Sequence, residues 1–409
     1  MPTIHLPWGA WYAESQHRIE VPSDWHVEVF KPYQQRPCTA AEIAACLENP
    51  VGSPSARELA RGSKSACIVV DDLARPTKAF ELLPPLIQQL HLAGLNEASI
   101  RIVVATGSHG SLDRAQLAKK VGTDVMSRYR VDCHNCRENL ADAGIQYGER
   151  ELQINRTFFE AEFKAVVGCV LPHSFAGYSG GAKLVLPGLS DLHATARSHK
   201  FVQLGLRGGS DPNSNRFRLE AERLVRQIGL TFGVSVLTGA NRETTAVFAG
   251  DFVTAHRQAC QVASEAYRTE AGDRRFDCIV LNAYPKDIDL VQAENVFVAL
   301  GSSANSVLKD KGIVVLATAA SEGLGHHGLF MPGGLNYVPP KPKRALCGRA
   351  LWIHTPSVDT EIVHQMYSEE YPVFHSTESL VQSLQTRLPH DAIVGVFPCA
   401  PMQRTVPSH

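Results

Sequence analysis

No apolar stretch in this chain of 409 residues approaches the ~18 residues that a membrane-spanning helix needs. No membrane segment is therefore expected. Charge of either sign is not in excess: 40 Lys and Arg against 41 Asp and Glu give a formal net charge of −1. That balance creates no overall field for nucleic acid or for an anionic membrane surface, so neither is expected as a partner. The stretch 1–16 lacks both a basic start and a long apolar core, which predicts no signal peptide. The 24 prolines and 31 glycines are spread out, with no low-complexity tract and no internal repeat. The 10 cysteines are scattered too, and Cys67, Cys169 and Cys278 fall inside apolar runs, where a thiol acts as a small hydrophobe. Together these features predict a cytoplasmic protein with reduced thiols. A second CxxC is also missing. Cys133-His134-Asn135-Cys136 thus resembles only half of a zinc site, and a structural zinc is not expected there.

What is present is ordinary globular composition, 44% hydrophobic and 20% charged, in a chain too long for one core. Short apolar runs alternate with helical patterns. Strands are predicted over 66–70, 99–105 and 165–171, with a helix over 77–92. Because these runs are continuous, the strands should be covered on both faces, as in a parallel α/β sheet. Helices over 213–228 and 255–267 flank a strand over 230–236. A second α/β series follows, with strands over 276–281, 312–318, 351–354 and 392–397. Helices are expected there over 296–308, 360–366 and 377–384. The Pro- and Gly-rich stretch 331–344 reads as a long ordered loop. A domain boundary is expected near Gly272, giving domains 1–271 and 272–409.

Polar residues that could carry chemistry follow three of the strands, where open α/β sheets place their ligands. The first group is Asp71-Asp72-Leu73-Ala74-Arg75-Pro76-Thr77. Its aspartates are suited either to capping the next helix or to a site, while the planar fork of Arg75 suits a carboxylate or phosphate. The second is Thr106-Gly107-Ser108-His109-Gly110. The third is the densest, Pro172-His173-Ser174-Phe175-Ala176-Gly177-Tyr178-Ser179-Gly180-Gly181-Ala182-Lys183, with His199 downstream. Glycines allow close backbone approach to a ligand, and a lysine there can neutralise a phosphate or carry a covalent group. The loop departs from a nucleotide-triphosphatase P-loop, because Leu184 follows Lys183 where a hydroxyl should hold Mg²⁺. Glu322-Gly323-Leu324-Gly325-His326-His327-Gly328 is read either as a surface turn or as a lid, and no role is assigned to its histidines.

Taken in order, the motifs at 71–77, 105–109 and 172–183, with the spacing to His199, resemble the nickel-dependent lactate racemase family. The resemblance is strongest over 66–200, and Tyr284-Pro285-x-Asp287 with Gln292 extends it. It implies two α/β domains with largely parallel sheets and an active site in the cleft between them. Domain 1–271 would be catalytic and cofactor-binding, and domain 272–409 would contribute to the substrate pocket. The implied cofactor is the nickel-pincer nucleotide, a pyridinium-3,5-bisthiocarboxylic acid mononucleotide. Lys183 would hold it covalently, His199 would ligate nickel, and Asp71, Asp72, Ser179, Gly180 and Gly181 would line it. His109 and His173 would be the acid/base pair, and Arg75, Gln292 and Asn295 would bind substrate. The implied activity is racemisation or epimerisation of a 2-hydroxy acid, with cofactor-biosynthesis enzymes as partners in maturation. Asn295 stands where lactate enzymes of the family carry lysine, and Gly110 and Asn135 are further departures. One cation is then missing, and a substrate other than lactate, such as malate or an aldonate, is expected. Two alternatives stay open: a hydroxyacid/oxoacid redox step with the same cofactor, or a non-catalytic sugar-acid or nucleotide-binding protein.

Overall fold

The computed structural model describes residues 2–9, 11, 15–204, 207–271, 274–300 and 307–406. The chain is α/β and divides into two compact units. The first comprises Met1–Tyr33, Ala266–Gly325 and Val338–His409, and the second Gln34–Glu265 and His326–Tyr337. This division differs from the single boundary expected near Gly272, a residue outside the described ones. The N-terminal segment joins the first unit because His26–Val29 is an edge strand pairing with Ile393–Phe397. The hairpin Thr3–Trp8/Ser15–Glu20 also packs Ile4, Leu6 and Ile19 against Val280 and Val315 of the same unit.

The second unit is built on a six-stranded sheet in the order Thr244–Asp251, Phe232–Thr238, Phe163–Cys169, Ala66–Asp71, Ile100–Ala105, Arg130–Cys133. All neighbours are parallel except the Thr244–Asp251 edge. The strands of Ala66–Asp71 and Phe163–Cys169 are buried at every position, as the apolar runs 66–70 and 165–169 within them require. Strand order reverses between these two, which makes their carboxyl ends a topological switch point. Strands that lack a continuous apolar run escape sequence reading: Arg130–Cys133, Thr244–Asp251 and the hairpin Leu140–Tyr147/Arg150–Asn155.

The first unit has a wholly parallel sheet, ordered Val373–Phe374, Ala350–His354, Leu308–Ala317, Phe276–Asn282, Ile393–Phe397, His26–Val29. Its strands send alternate residues to opposite faces. Ile279, Leu281, Val314 and Leu316 enter one core, and Cys278, Val280, Ile313 and Val315 the other. The helix expected over 296–308 is not formed. Glu294–Leu300 is a 3₁₀ segment, Leu308 already begins a strand, and 301–306 lies outside the described residues. Val296, Phe297 and Val298 are weak helix formers, and buried Val296 and Ala299 have the three-residue spacing of a 3₁₀ turn. Among the described residues no helix is long and apolar enough to cross a membrane.

A buried polar knot fixes the switch point. Asp71, at the end of its strand, accepts hydrogen bonds from Thr77 Oγ1 at 2.6 Å and from the Cys169 amide at 3.1 Å. Its other oxygen pairs with Lys120 Nζ at 2.6 Å. Lys120 is fully buried and also donates to the carbonyls of Arg75 at 3.2 Å and Thr77 at 2.9 Å. Removing one member of such a pair leaves an uncompensated charge, which costs about 3–5 kcal/mol. Lys120→Met should therefore lower the denaturation free energy by about that amount, and Lys120→Met with Asp71→Asn should recover much of it. Chemical denaturation of both variants checks this. Equal losses in the two would show that the ion pair is not what holds the loop.

Candidate functional site

The strand-end loops of the second unit hold most of the residues singled out from sequence. Pro172–His173 pairs with Gly177–Tyr178 in a two-residue antiparallel ladder, so the glycine-rich loop starts as a tight hairpin. Gly180 and Gly181 follow with φ of 77° and 58°. A Cβ on Gly181 would lie 2.9 Å from the His256 ring, and one on Gly180 would lie 3.0 Å from the Cys169 carbonyl. Fully buried Arg218 donates to the carbonyl of Gly180 at 2.9 Å and to that of Tyr178. His256 Nε2 donates to the Ser179 carbonyl at 2.8 Å. Three successive carbonyls of the loop are thus held from behind. Ser179 uses its hydroxyl inside the fold, donating to the Cys169 carbonyl at 2.6 Å and accepting from the Leu171 amide at 2.9 Å.

Neither aspartate of the first loop caps a helix. The next helix, Ala79–Leu92, has no side-chain cap, and Pro76 precedes it rather than occupying its first turn. Asp71 belongs to the knot with Lys120, so its carboxylate is engaged within the protein. Asp72 accepts a hydrogen bond from His109 Nδ1 at 2.6 Å. Burial alone would raise the Asp72 carboxyl. His109, Arg75 and Lys120 outweigh it and hold the group well below the usual carboxylate range. With Nδ1–H given to a carboxylate, neutral His109 carries its lone pair on Nε2.

Phe175 is the residue around which the others gather. Its ring meets His173 edge-on at 4.8 Å and His199 at 5.0 Å, and Lys183 Nζ lies 5.9 Å from its centroid. Phe217 supports it at 4.9 Å from the opposite element, the helix Arg216–Gln227. Lys183 sits in the 3₁₀ turn Gly181–Leu184 and is half-buried. Loss of hydration, then the charges of Arg75 and Arg218, lower its ammonium to about 7. His199, near the end of the helix Leu192–Lys200, gives Nδ1–H to the Thr195 carbonyl at 2.8 Å. Its lone pair is then on Nε2. Burial first, and Lys183 and His109 after it, lower its pKa to about 4, so the ring is neutral at physiological pH.

Sequence reading left His327 unassigned, and the structure brings it to these residues. It is buried, with ring centroids 5.1 Å from His109 and 5.6 Å from His199, and Phe330 lies 5.4 Å from His199. No local motif signals this, because some 130 residues separate His327 from His199 in sequence. His134 is a core histidine, hydrogen-bonded to the Ser190 carbonyl at 3.0 Å and lowered to about 4 chiefly by burial. Cys133 and Cys136 are partly buried free thiols, and among the described residues no cluster of three or more His, Cys, Asp or Glu is arranged to hold a metal.

Gln292 and Asn295 belong to the first unit. Asp289 caps the turn at the Gln292 amide, 2.6 Å away, and Asn295 Nδ2 donates to the Gln292 carbonyl at 2.8 Å. Asn295 Oδ1 accepts from Lys286 Nζ at 3.0 Å, and Lys286 is fully buried. The surroundings of Asn295 are therefore not without a cation, contrary to the expectation drawn from that position alone.

Residues 12–206 match the lactate racemase N-terminal domain family. A lactate racemase of Thermoanaerobacterium thermosaccharolyticum is 26% identical over 292 residues, covering 70% of this chain and 67% of that protein. A lactate racemase of Lactiplantibacillus plantarum is 27% identical over 292 residues, covering 70% and 68%. The fold is similar to that of the lactate racemase apoprotein of T. thermosaccharolyticum, with a TM-score of 0.78 at 21% identity, covering 99% of this chain and 100% of that one. A Thermotoga maritima protein of known structure gives 0.71 at 16% identity, covering 92% and 100%. At these identities the structural likeness speaks for the fold alone. Residues 12–206 are thus similar to the lactate racemase N-terminal domain, and the chain as a whole is similar to these two lactate racemases.

Proposed function

We propose that the protein is a racemase or epimerase of 2-hydroxy acids that uses a nickel-pincer nucleotide. The observation that carries the reading is the grouping of His173, Lys183 and His199 around Phe175, beside the Asp72–His109 pair. The residues suit the cofactor. Lys183, lowered to about 7, is substantially a free amine at neutral pH and can be acylated. His199 has its Nδ1 committed to a carbonyl, which orients Nε2 for a metal. Gly180 and Gly181 let the loop that carries Lys183 pack directly against His256 and the Cys169 carbonyl. Asp72 enters through His109, while Asp71 and Ser179 support the loops from within.

When bound, the nucleotide would supply a two-electron acceptor that takes hydride from the substrate carbon and returns it to either face. The chain's own part is proton handling and positioning. His109 Nε2 would take the hydroxyl proton of one enantiomer, with Asp72 fixing its tautomer and stabilising the imidazolium. His173 would serve the opposite enantiomer. Arg75, Gln292 and Asn295 are proposed to contact the substrate, the guanidinium holding the carboxylate. With Lys286 beside Asn295, the argument against lactate loses its basis, and lactate belongs in the substrate panel with malate and aldonates.

Protein co-expressed with the cofactor-making enzymes should carry a mass adduct that Lys183→Ala abolishes. Chiral analysis of a 2-hydroxy acid panel should show stereoisomers interconverting without net oxidation. Accumulation of oxo acid would instead favour the redox reading, and full racemisation by unmodified protein would refute the tether. His109→Asn and His173→Asn should each lower kcat by roughly 10²–10⁴.

The lowered pKa of Lys183 makes a separate prediction in the apoprotein. Its value in the fold, about 7, lies below its ordinary 10.5, so the unfolded chain binds more protons between those two pH values. Stability therefore rises with pH across that window, and the penalty of the buried ammonium is complete below it. Lys183→Met should raise the melting temperature most near pH 6, and the gain should fade between about 7 and 10.5. A gain that does not change with pH would show that Lys183 titrates normally.

A further inference from the structure

We propose that His327 is a positioning residue for His109, acting through the Ser108 turn. The assignment rests on reading His109 as a proton-transfer group, but its physical basis lies in contacts of the protein alone. His326–Tyr337 comes late in the chain, yet it clusters with the second unit, whose other residues end at Glu265. It lies across the His109 loop as a strap. His109 and His327 form an isolated antiparallel bridge, and the Gly328 amide donates to the Ser108 carbonyl at 2.8 Å. On its far side the strap reaches the helix that carries His199. Leu329 is fully buried against Leu192 and Ala196, and Asn336 Nδ2 donates to the Ala196 carbonyl at 3.1 Å. The strap thus joins the turn bearing His109 to the helix bearing His199.

The hydrogen bonds define what the His327 ring does. The Leu329 amide can only donate, so the His327 Nδ1 it meets at 3.3 Å is the accepting nitrogen and the ring hydrogen is on Nε2. The same Nδ1 lies 3.2 Å from Ser108 Oγ, whose hydroxyl is then the donor. One ring nitrogen therefore ties the strap's own backbone to the side chain preceding His109. The His327 ring also faces that of His109 at 5.1 Å and 65°. Asp72 holds the Nδ1 end of His109 at 2.6 Å, and the edge of His327 packs against the ring as a second restraint. A displacement of about 1 Å in a proton-transfer group can cost about 10²-fold in rate, so the second restraint matters.

Substitutions separate the two nitrogens of His327. His327→Asn keeps an acceptor near Nδ1, His327→Gln places an amide near Nε2, and His327→Ala removes both. In the apoprotein, His327→Ala should speed hydrogen exchange of the Gly328 amide by about tenfold or more, and Asn should restore most of the protection. In the loaded enzyme, His327→Ala should lower kcat by about tenfold with little change in KM, with Asn again restoring activity. Unchanged exchange in His327→Ala, or restoration by Gln and not by Asn, would overturn the proposal; the latter would place a ligand contact at Nε2. Ser108→Ala gives a second route should His327→Ala fail to fold: it removes the hydroxyl partner, and unaltered Gly328 exchange there also counts against the proposal. The exchange experiment does not depend on cofactor or substrate. Racemisation without the exchange effect would refute the positioning role alone, and the exchange effect without racemisation would refute the proposed activity alone.

Discussion

The buried pairing of Asp71 with Lys120 is the constraint on which the proposed site depends. A carboxylate at the end of a fully buried parallel strand is tolerable only if its charge and lone pairs are met locally. Lys120 supplies the charge, while Thr77 and the Cys169 amide supply hydrogen bonds. The Cys169 bond is the informative one, because it ties the ends of the two strands that flank the reversal in strand order. The two further bonds from Lys120, to the carbonyls of Arg75 and Thr77, fix the path of the loop between Asp71 and the next helix. Within that fixed path Asp72 reaches His109. The Asp72–His109 contact thus depends on a pair that lies behind it in the fold.

Histidine is abundant here, 17 in the chain, and hydrogen-bond partners sort the roles better than sequence position does. His134 and His256 each bond a carbonyl deep in the fold, and burial depresses both strongly, so they are neutral core residues. His199 also bonds a carbonyl, but one turn back in its own helix, which holds the ring at the helix edge beside Phe175. His109 alone among these bonds a carboxylate, which fixes its tautomer and leaves Nε2 as the accepting nitrogen of the neutral ring. His327 accepts from an amide and a hydroxyl, an arrangement that serves to hold backbone in place.

Most of the sheet framework was legible because a parallel strand buried on both faces leaves a continuous apolar run, as at 66–70 and 165–169. The location of the polar loops was legible for the same reason, since they follow those runs directly. Less legible was the direction in which a polar side chain is used. Asp71 and Ser179 are expected from sequence to line a cofactor, and the fold adds hydrogen bonds of both to strand ends and loops that sequence does not reveal. Residue type reveals hydrogen-bonding capacity, not which partner the tertiary structure supplies. Lys120, Phe175 and His327 were missed for another reason: each acts through contacts with residues far away in sequence or looks locally like an ordinary core or surface residue. The early segment His26–Val29 carried no signal of its own, being a four-residue edge strand whose partner lies more than 360 residues later.

The same limitation bears on reading a substitution in isolation. Asn295 in place of a lysine suggests a lost positive charge and, from it, a changed substrate. In the fold, Lys286 Nζ lies against Asn295 Oδ1, and Asn295 in turn bonds the carbonyl of Gln292. The amide therefore relays between a buried ammonium and the turn that carries Gln292. Lys286 thus brings an ammonium against position 295 from nine residues earlier in sequence. Charge at a site is a property of the space around it, so the gain or loss of a cation has to be judged from the packed neighbours and not from a single aligned position.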